Sequence, residues 1–322
     1  QAAGSQPDPT MPPEKAPNAA PEQFDALVLV EDTGYEYYNF VQENTDNYIK
    51  LVADAGESLA GTSTLYEMVV PTSMDIMLPE SYISEHNVNS SDQRKAIEDY
   101  MYPSIQNINP DVKTVSLFDP LKLHSNEYIY FRTDHHWTQL GAYYAYREFC
   151  QAANFTPLDL EDYEKKSYDG FLGSFYKDCL SGAMQANPDT VEAYIPPVDA
   201  ELTYTTSDGT VVEGQPVIQD GSAYDPEWLY LIFISGDQPY EEITNNGLDD
   251  GSACIVVKES FGNAFVPFLV PHYQHVYVVD YRYYSGNVAD LASEKNAQDV
   301  ILINNISMTR SADRISDLST VF

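Results

Sequence analysis

The chain has 322 residues, with 50 acidic against 16 basic side chains and a formal charge of −34. That length suits one large domain or two small ones with ample core. A surface this acidic repels phosphate backbones and anionic headgroups, which argues against nucleic-acid binding, and no run of 18 apolar residues offers a membrane span.

Residues 1–24 are dominated by Pro, Ala, Gln and Glu and show no helical or strand period, which predicts a flexible tether. The remainder, 25–322, reads as one folded unit. A chain that starts without Met on such a tether fits an exported protein whose signal has been removed, secreted or held at a membrane, or one trimmed at a domain edge. The cysteines Cys150, Cys179 and Cys254 lie far apart without metal-ligand spacing and read as three thiols.

The folded part opens on Ala26–Val30, a short apolar run of the kind a buried parallel strand needs. Tyr48, Val52, Ala55 and Leu59 then mark one helical face. Thr64–Val70 is a second strand, ended by Pro71. Ser90 and Gln93 have capping-box spacing and predict a helix carrying Ile97, Tyr100 and Met101. Thr114–Phe118 is a third strand, and Ala142, Tyr146, Phe149 and Ala153 mark the next helix. Residues 155–228 are less regular and predict an insertion with antiparallel strands. Alternation resumes with strands at Leu229–Ile234, Ala253–Lys258, His275–Asp280 and Asp299–Asn304, and helices at Phe261–Val270 and Gly286–Gln298. Repeated βα units predict a parallel sheet covered by helices on both faces. Ligands in such sheets sit beyond the strands' carboxyl ends, here Pro71–Ser73, Asp119, Gly236–Asp237, Glu259–Ser260 and Tyr281–Arg282.

One stretch stands out. Between Thr133 and Thr138 the chain spends two of its six histidines and one of its two tryptophans on Asp134-His135-His136-Trp137. An extended segment sends Asp134 and His136 to one side and His135 to the other. The carboxylate then holds one ring nitrogen of His136 and leaves the other as a base, with Trp137 walling the pair and His135 structural. The candidate nucleophile is Ser260 in VVKESFGNAF, a strand-to-helix turn whose N–H groups could face an oxyanion. Duller readings apply to each residue: Ser260 as a helix N-cap, His136 as a buried histidine satisfied by Asp134. Adjacent histidines facing opposite ways chelate one ion poorly, and no second ligand cluster completes a metal set. No metal site is expected. A metal-dependent phosphoesterase also sits badly with polyanionic substrates and this acidic surface.

The string Tyr130-Phe131-Arg132-Thr133-Asp134-His135-His136-Trp137-Thr138, followed by Gly141-Ala142, resembles the signature of the DHHW proteins. These in turn resemble the SGNH-hydrolase-like domain of the alginate O-acetyltransferase family. LVLVEDTGYEYY, VVPTS, FLGSFY, GDQP, KESFGNAF, VVDYR and ILINN follow the expected order across most of 25–322. The resemblance implies a flavodoxin-like α/β domain, circularly permuted so that the Asp-His pair precedes the serine. It implies Ser260 as acyl-accepting nucleophile, His136 as general base and Asp134 as the residue orienting it. The activity implied is extracytoplasmic O-acetyl transfer or acetyl-ester hydrolysis on a polysaccharide, beside a membrane-bound acyl-transfer partner and without a cofactor. The rival is a glycan-binding or scaffold protein that kept the fold without turnover. Glu259 replaces the Asp that usually precedes the serine. Oxyanion or substrate contacts are therefore expected from the Ser260 and Phe261 N–H groups, then Asn263, Arg282 and Asn305.

Overall fold

The computed structural model describes residues 16–322. Its strands, in chain order, are β1 (Glu22–Gln23), β2 (Leu27–Val30), β3 (Thr33–Glu36), β4 (Thr64–Val70), β5 (Lys113–Thr114), β6 (Glu164–Phe171), β7 (Asp189–Ile195), β8 (Ala200–Thr205), β9 (Val211–Gln215), β10 (Tyr240–Asn245), β11 (Ala253–Lys258), β12 (His275–Asp280) and β13 (Asp299–Asn305). Eight of them build the main sheet in the order β5-β4-β13-β11-β12-β10-β8-β9. The five from β5 to β12 run parallel, and β10, β8 and β9 continue antiparallel. The central strands are buried on both faces, as apolar runs without alternation require. In β11, Cys254 and Val256 join one core with Trp137, Tyr146 and Phe149, while Ile255 and Val257 join the other with Tyr48, Val52 and Ile97. Helices Gln42–Ser58, Val288–Lys295 and Ala312–Ser319 cover the second face, and Gln139–Ala153 covers the first.

The parallel sheet and its two helical layers are those the sequence predicts, with four local corrections. Leu27–Val30 is no part of the parallel sheet. It pairs antiparallel with β3 across a two-residue turn in which Glu31 takes a φ of +60°, and with β1 on its other edge. Its alternate residues sink into two small cores, which is why the run looks like a buried central strand. Leu229–Ile234 is no strand either. Pro226 at the first position opens a 3₁₀ helix over Pro226–Ile232, and a short apolar run does not distinguish the two by period. Of Thr114–Phe118 only Thr114 is paired, in the two-residue β5, before Phe118 starts the helix Phe118–Leu123. Nor does the capping box form: Ser90 accepts from the Tyr38 N–H and Gln93 bonds to Thr72, so both side chains tie the helix to neighbouring loops.

The irregular segment contains the β6–β7 hairpin and β8–β9, which extend the main sheet at its edge. Of the expected tether, residues 1–15 lie outside the described residues. Ala19 accepts from the Tyr82 hydroxyl, and Glu22–Gln23 pair with β2. All three cysteines are free thiols, two of them buried. Among the described residues no helix is long and apolar enough to cross a membrane.

Candidate active site

Two loops meet where β11 ends. The first is a tight excursion closed by a bridge between Tyr130 and Trp137 and by a bond from the Phe131 N–H to the His136 carbonyl. Asp134 sits at its tip. Thr133 anchors the loop through its N–H and hydroxyl, both donating to Asp189 Oδ2 at 2.7 Å. Thr138 ends it by capping the helix Gln139–Ala153. Gly141 lets that helix lie against the loop, because a Cβ there would stand 2.4 Å from the Ile129 carbonyl. The second loop is Glu259-Ser260, between β11 and the short helix Gly262–Phe265. Gly262 is required here too, since a Cβ would come within 2.5 Å of the Lys258 Cβ. Trp137 Nε1 donates to the Phe261 carbonyl at 2.9 Å and clamps the loops together.

The clamp brings together three side chains that the sequence reading singled out. His136 Nδ1 lies 2.6 Å from Asp134 Oδ1, and His136 Nε2 lies 2.7 Å from Ser260 Oγ, 124 positions away in sequence. The carboxylate also accepts from the His136 N–H at 2.9 Å and from the Ser174 N–H at 2.8 Å. Burial opposes ionisation of Asp134. The His136 and His135 rings and the Ser174 N–H outweigh it and hold the carboxyl well below the usual carboxylate range. An ionised Asp134 fixes the proton of neutral His136 on Nδ1, so Nε2 keeps a lone pair for the Ser260 hydroxyl.

The expectation for His135 fails. Asp134 Oδ1 receives the N–H of the residue two along, which folds the segment into an Asx-type turn instead of a strand. His135 and His136 therefore lie against each other, with ring centroids 3.8 Å apart and planes tilted by 37°. Trp137 does not wall the histidine. That role belongs to Tyr230, whose ring stacks on His136 at 3.9 Å and 13° while its hydroxyl donates to the Ser260 carbonyl at 3.0 Å. Phe261 also packs against the His136 ring, 4.9 Å away and tilted by 49°.

Ser260 opens into a cleft of about 350 Å³ whose lining includes His135, Glu259, Arg282 and Asn305. The expected oxyanion donors are mostly spent. The Glu259 carboxylate accepts from the Phe261 N–H at 3.2 Å and the Asn305 N–H at 2.9 Å, and lies 3.2 Å from Ser260 Oγ. Burial raises its pKa, against Arg282 and those two N–H groups. Asn263 lies under the cleft and donates to Asp237 at 2.9 Å. The Asn305 side chain donates to the Val70 carbonyl. Arg282 reaches the cleft but grips Asp280 at 2.6 Å and Asp237 at 3.0 Å. Of the other strand-end positions, Asp119 pairs with Arg94 on an exposed surface away from the cleft. Asp134, His135 and His136 could each offer a metal one atom within 4.8 Å of the others. The Asp134 and His136 atoms nearest that point already serve each other, Ser174 and Ser260.

The sequence reading missed Tyr230, Gly173 and Ser174. FLGSFY carried a signal for two of them: a Cβ on Gly173 would lie 2.2 Å from Asp134 Oδ2, so only glycine lets the loop close over the carboxylate.

Solved structures show the same fold. A DHHW family protein from Eubacterium siraeum is 27% identical, with a TM-score of 0.82 over 94% of this chain and 97% of that one. Bacillus cereus PatB1 is 21% identical, with a TM-score of 0.69 over 92% and 99%. The same protein with a sulfonyl adduct is 19% identical, with a TM-score of 0.69 over 93% and 98%. No curated protein matches the chain in sequence. The fold is the α/β arrangement, a mostly parallel sheet between helical layers, that the resemblance implied. The model of the family described as DHHW protein matches residues 3–279, and this chain belongs to that family.

Proposed function

We propose that the protein is an extracytoplasmic serine-dependent O-acetyltransferase or acetylesterase that modifies a cell-envelope or secreted polysaccharide. The single observation that carries this reading is the aligned pair of bonds at His136, 2.6 Å to Asp134 and 2.7 Å to Ser260. Ser260 Oγ attacks the ester carbonyl carbon and gives its proton to His136 Nε2. The Asp134 carboxylate faces the imidazolium that forms. The bond to the leaving alcohol then breaks, and His136 returns the proton to that oxygen. A sugar hydroxyl or water repeats the sequence on the acyl-enzyme, which regenerates Ser260. Side chains carry every proton in this cycle, so it calls for no cofactor. A membrane-bound acyl-transfer partner fits as donor, with the polysaccharide as acceptor.

The test is hydrolysis of p-nitrophenyl acetate by wild type, Ser260→Ala and His136→Ala, with mass spectrometry after phenylmethylsulfonyl fluoride. The expected result is background turnover in both variants and one sulfonyl group on Ser260. Full turnover in either variant overturns the reading. A protein that binds glycan yet neither turns over nor labels is the scaffold instead.

A further inference from the structure

The second histidine of the motif is held as closely as the first. Its backbone N–H donates to Ser174 Oγ at 3.2 Å, and its Nδ1 lies 2.7 Å from the same oxygen. Ser174 Oγ already accepts that backbone hydrogen, and its own hydroxyl hydrogen is available to the Nδ1 lone pair. A neutral ring that accepts at Nδ1 carries its hydrogen on Nε2. Burial, then the neighbouring His136 ring, depresses the pKa of His135, which favours that neutral form.

The contacts at Nδ1 constrain where Nε2 points. Both Nδ1 atoms face Asp134 Oδ1, at 2.6 Å for His136 and 3.8 Å for His135. The two rings lie 3.8 Å apart and tilted by 37°, and with its Nδ1 turned to Asp134 and Ser174 the His135 ring has its Nε2 edge turned away from both. His135 accordingly lines the cleft with Ser260, its side chain one-third (34%) exposed. The site presents one imidazole edge with a lone pair and, beside it, one with a hydrogen. Meanwhile the Phe261 and Asn305 N–H groups are taken up by Glu259.

We propose that His135 is a catalytic residue of the acyl-transfer site, donating its Nε2–H to the acyl oxygen of the ester as Ser260 attacks. The inference rests on the serine-ester reading above. As the Oγ–C bond forms, the Ser260 proton goes to His136 Nε2 and the carbonyl π pair moves onto the acyl oxygen. His135 keeps its hydrogen and bonds to that oxygen. When the tetrahedral species collapses the pair returns, the leaving alcohol takes the proton from His136, and His135 is unchanged. A neutral donor suits this place, since it stabilises the new negative charge without repelling the imidazolium that forms on His136.

The experiment compares His135→Phe, which keeps a stacking ring without a donor, with His135→Gln, whose amide reaches a similar point with an N–H. On p-nitrophenyl acetate, His135→Phe is expected to lower kcat about a hundredfold with KM within about twofold, the signature of a lost transition-state bond. His135→Gln is expected to recover at least about tenfold of that loss. A His135→Phe kcat within about threefold of wild type overturns the proposal, as does a His135→Gln no better than His135→Phe. Should His135→Phe fail to fold by thermal unfolding, His135→Ala with added imidazole replaces it, and absence of rescue is the overturning result. Ser260→Ala run alongside separates the two failures. If it stays active, the serine reading falls; if it is dead while His135→Phe is normal, only the second histidine's role falls.

Discussion

Two buried polar clusters flank Ser260, and they are built to opposite ends. On one side Asp134 and His136 form a chain with a lone pair left over at its tip, aimed at the serine. On the other, Lys258 is fully buried with its ammonium 3.0 Å from Asp280 and 3.3 Å from Asp237, and Arg282 bonds to the same two carboxylates. Burial disfavours the Lys258 charge, but Asp280 and Asp237 more than compensate and raise its pKa. Asp237 is likewise held down by Lys258 and Arg282 despite its burial. Every charge in this second cluster faces an opposite one, so nothing there is poised to exchange a proton. Its neighbourhood with Ser260 follows from the chain: Lys258 is the last residue of β11, two positions before that serine. The lesson is that burial and charge alone do not mark a reactive group. An unspent lone pair directed at a cleft does.

The contrast breaks most sharply under substitution. Asp134→Asn keeps the shape but removes the charge that fixes the His136 tautomer, and kcat on an acetyl ester is expected to fall about 10⁴-fold with the unfolding midpoint little changed. Lys258→Met does the reverse. It leaves Asp280 and Asp237 with Arg282 alone and is expected to cost about 3–5 kcal/mol in urea denaturation. Turnover per folded molecule should stay within about tenfold of wild type. A Lys258→Met protein as stable as wild type but inactive would show that the ion cluster takes part in the chemistry.

A further buried carboxylate sharpens the point because it has no cation at all. Glu67, on β4, is fully buried and bonded by the Tyr48 hydroxyl, and desolvation raises its pKa to about 8 from an ordinary 4.5. The folded state therefore holds a proton that the unfolded state releases above pH 4.5. Its contribution to stability is intact below that pH and is lost as pH climbs through about 8. Denaturation curves from pH 5 to 8 should show a loss of roughly 2–4 kcal/mol that Glu67→Gln largely abolishes. An equally steep loss in the variant would assign the pH dependence elsewhere.

How much of this was legible in the sequence depends on whether a feature is local. Asp134 and His136 stand out because a turn and a tautomer need only neighbouring residues, and Ser260 because strand, turn and glycine adjoin it. The central strands are readable because burial on both faces leaves an unbroken apolar run. Tyr230 is not, since its stacking on His136 depends on a helical turn about 95 positions away in a run whose period does not separate strand from 3₁₀ helix. The error at Leu27–Val30 has the same root: composition reports burial, not which sheet does the burying. The misplacement of His135 is different. Side-chain alternation holds only for an extended chain, and the aspartate that bonds the His136 ring also bends the segment.

Gly173 tests that bend from outside the motif. Its added Cβ would meet Asp134 Oδ2 at 2.2 Å, so Gly173→Ala must push the carboxylate from its place under His136. The expected loss in kcat is roughly ten- to hundredfold, without the total loss caused by removing the charge. Unaltered kinetics would mean that the loop yields instead of Asp134.

The smallest effect concerns the wall of the site. Tyr230 meets the relay twice, by stacking on His136 and by donating to the Ser260 carbonyl. Burial raises its pKa well above the ordinary value, so the hydroxyl stays a donor. Tyr230→Phe keeps the stack and deletes the bond, at an expected cost of about 1 kcal/mol in stability and a change in kcat within about threefold. Tyr230→Ala deletes both and should lower kcat further, because the face of the His136 ring that Tyr230 covers is then unsupported. If the two variants behave alike, the hydrogen bond matters and the stack does not. His136 would then owe its orientation to Asp134 alone, and the aromatic wall would serve to exclude water from the acyl-enzyme.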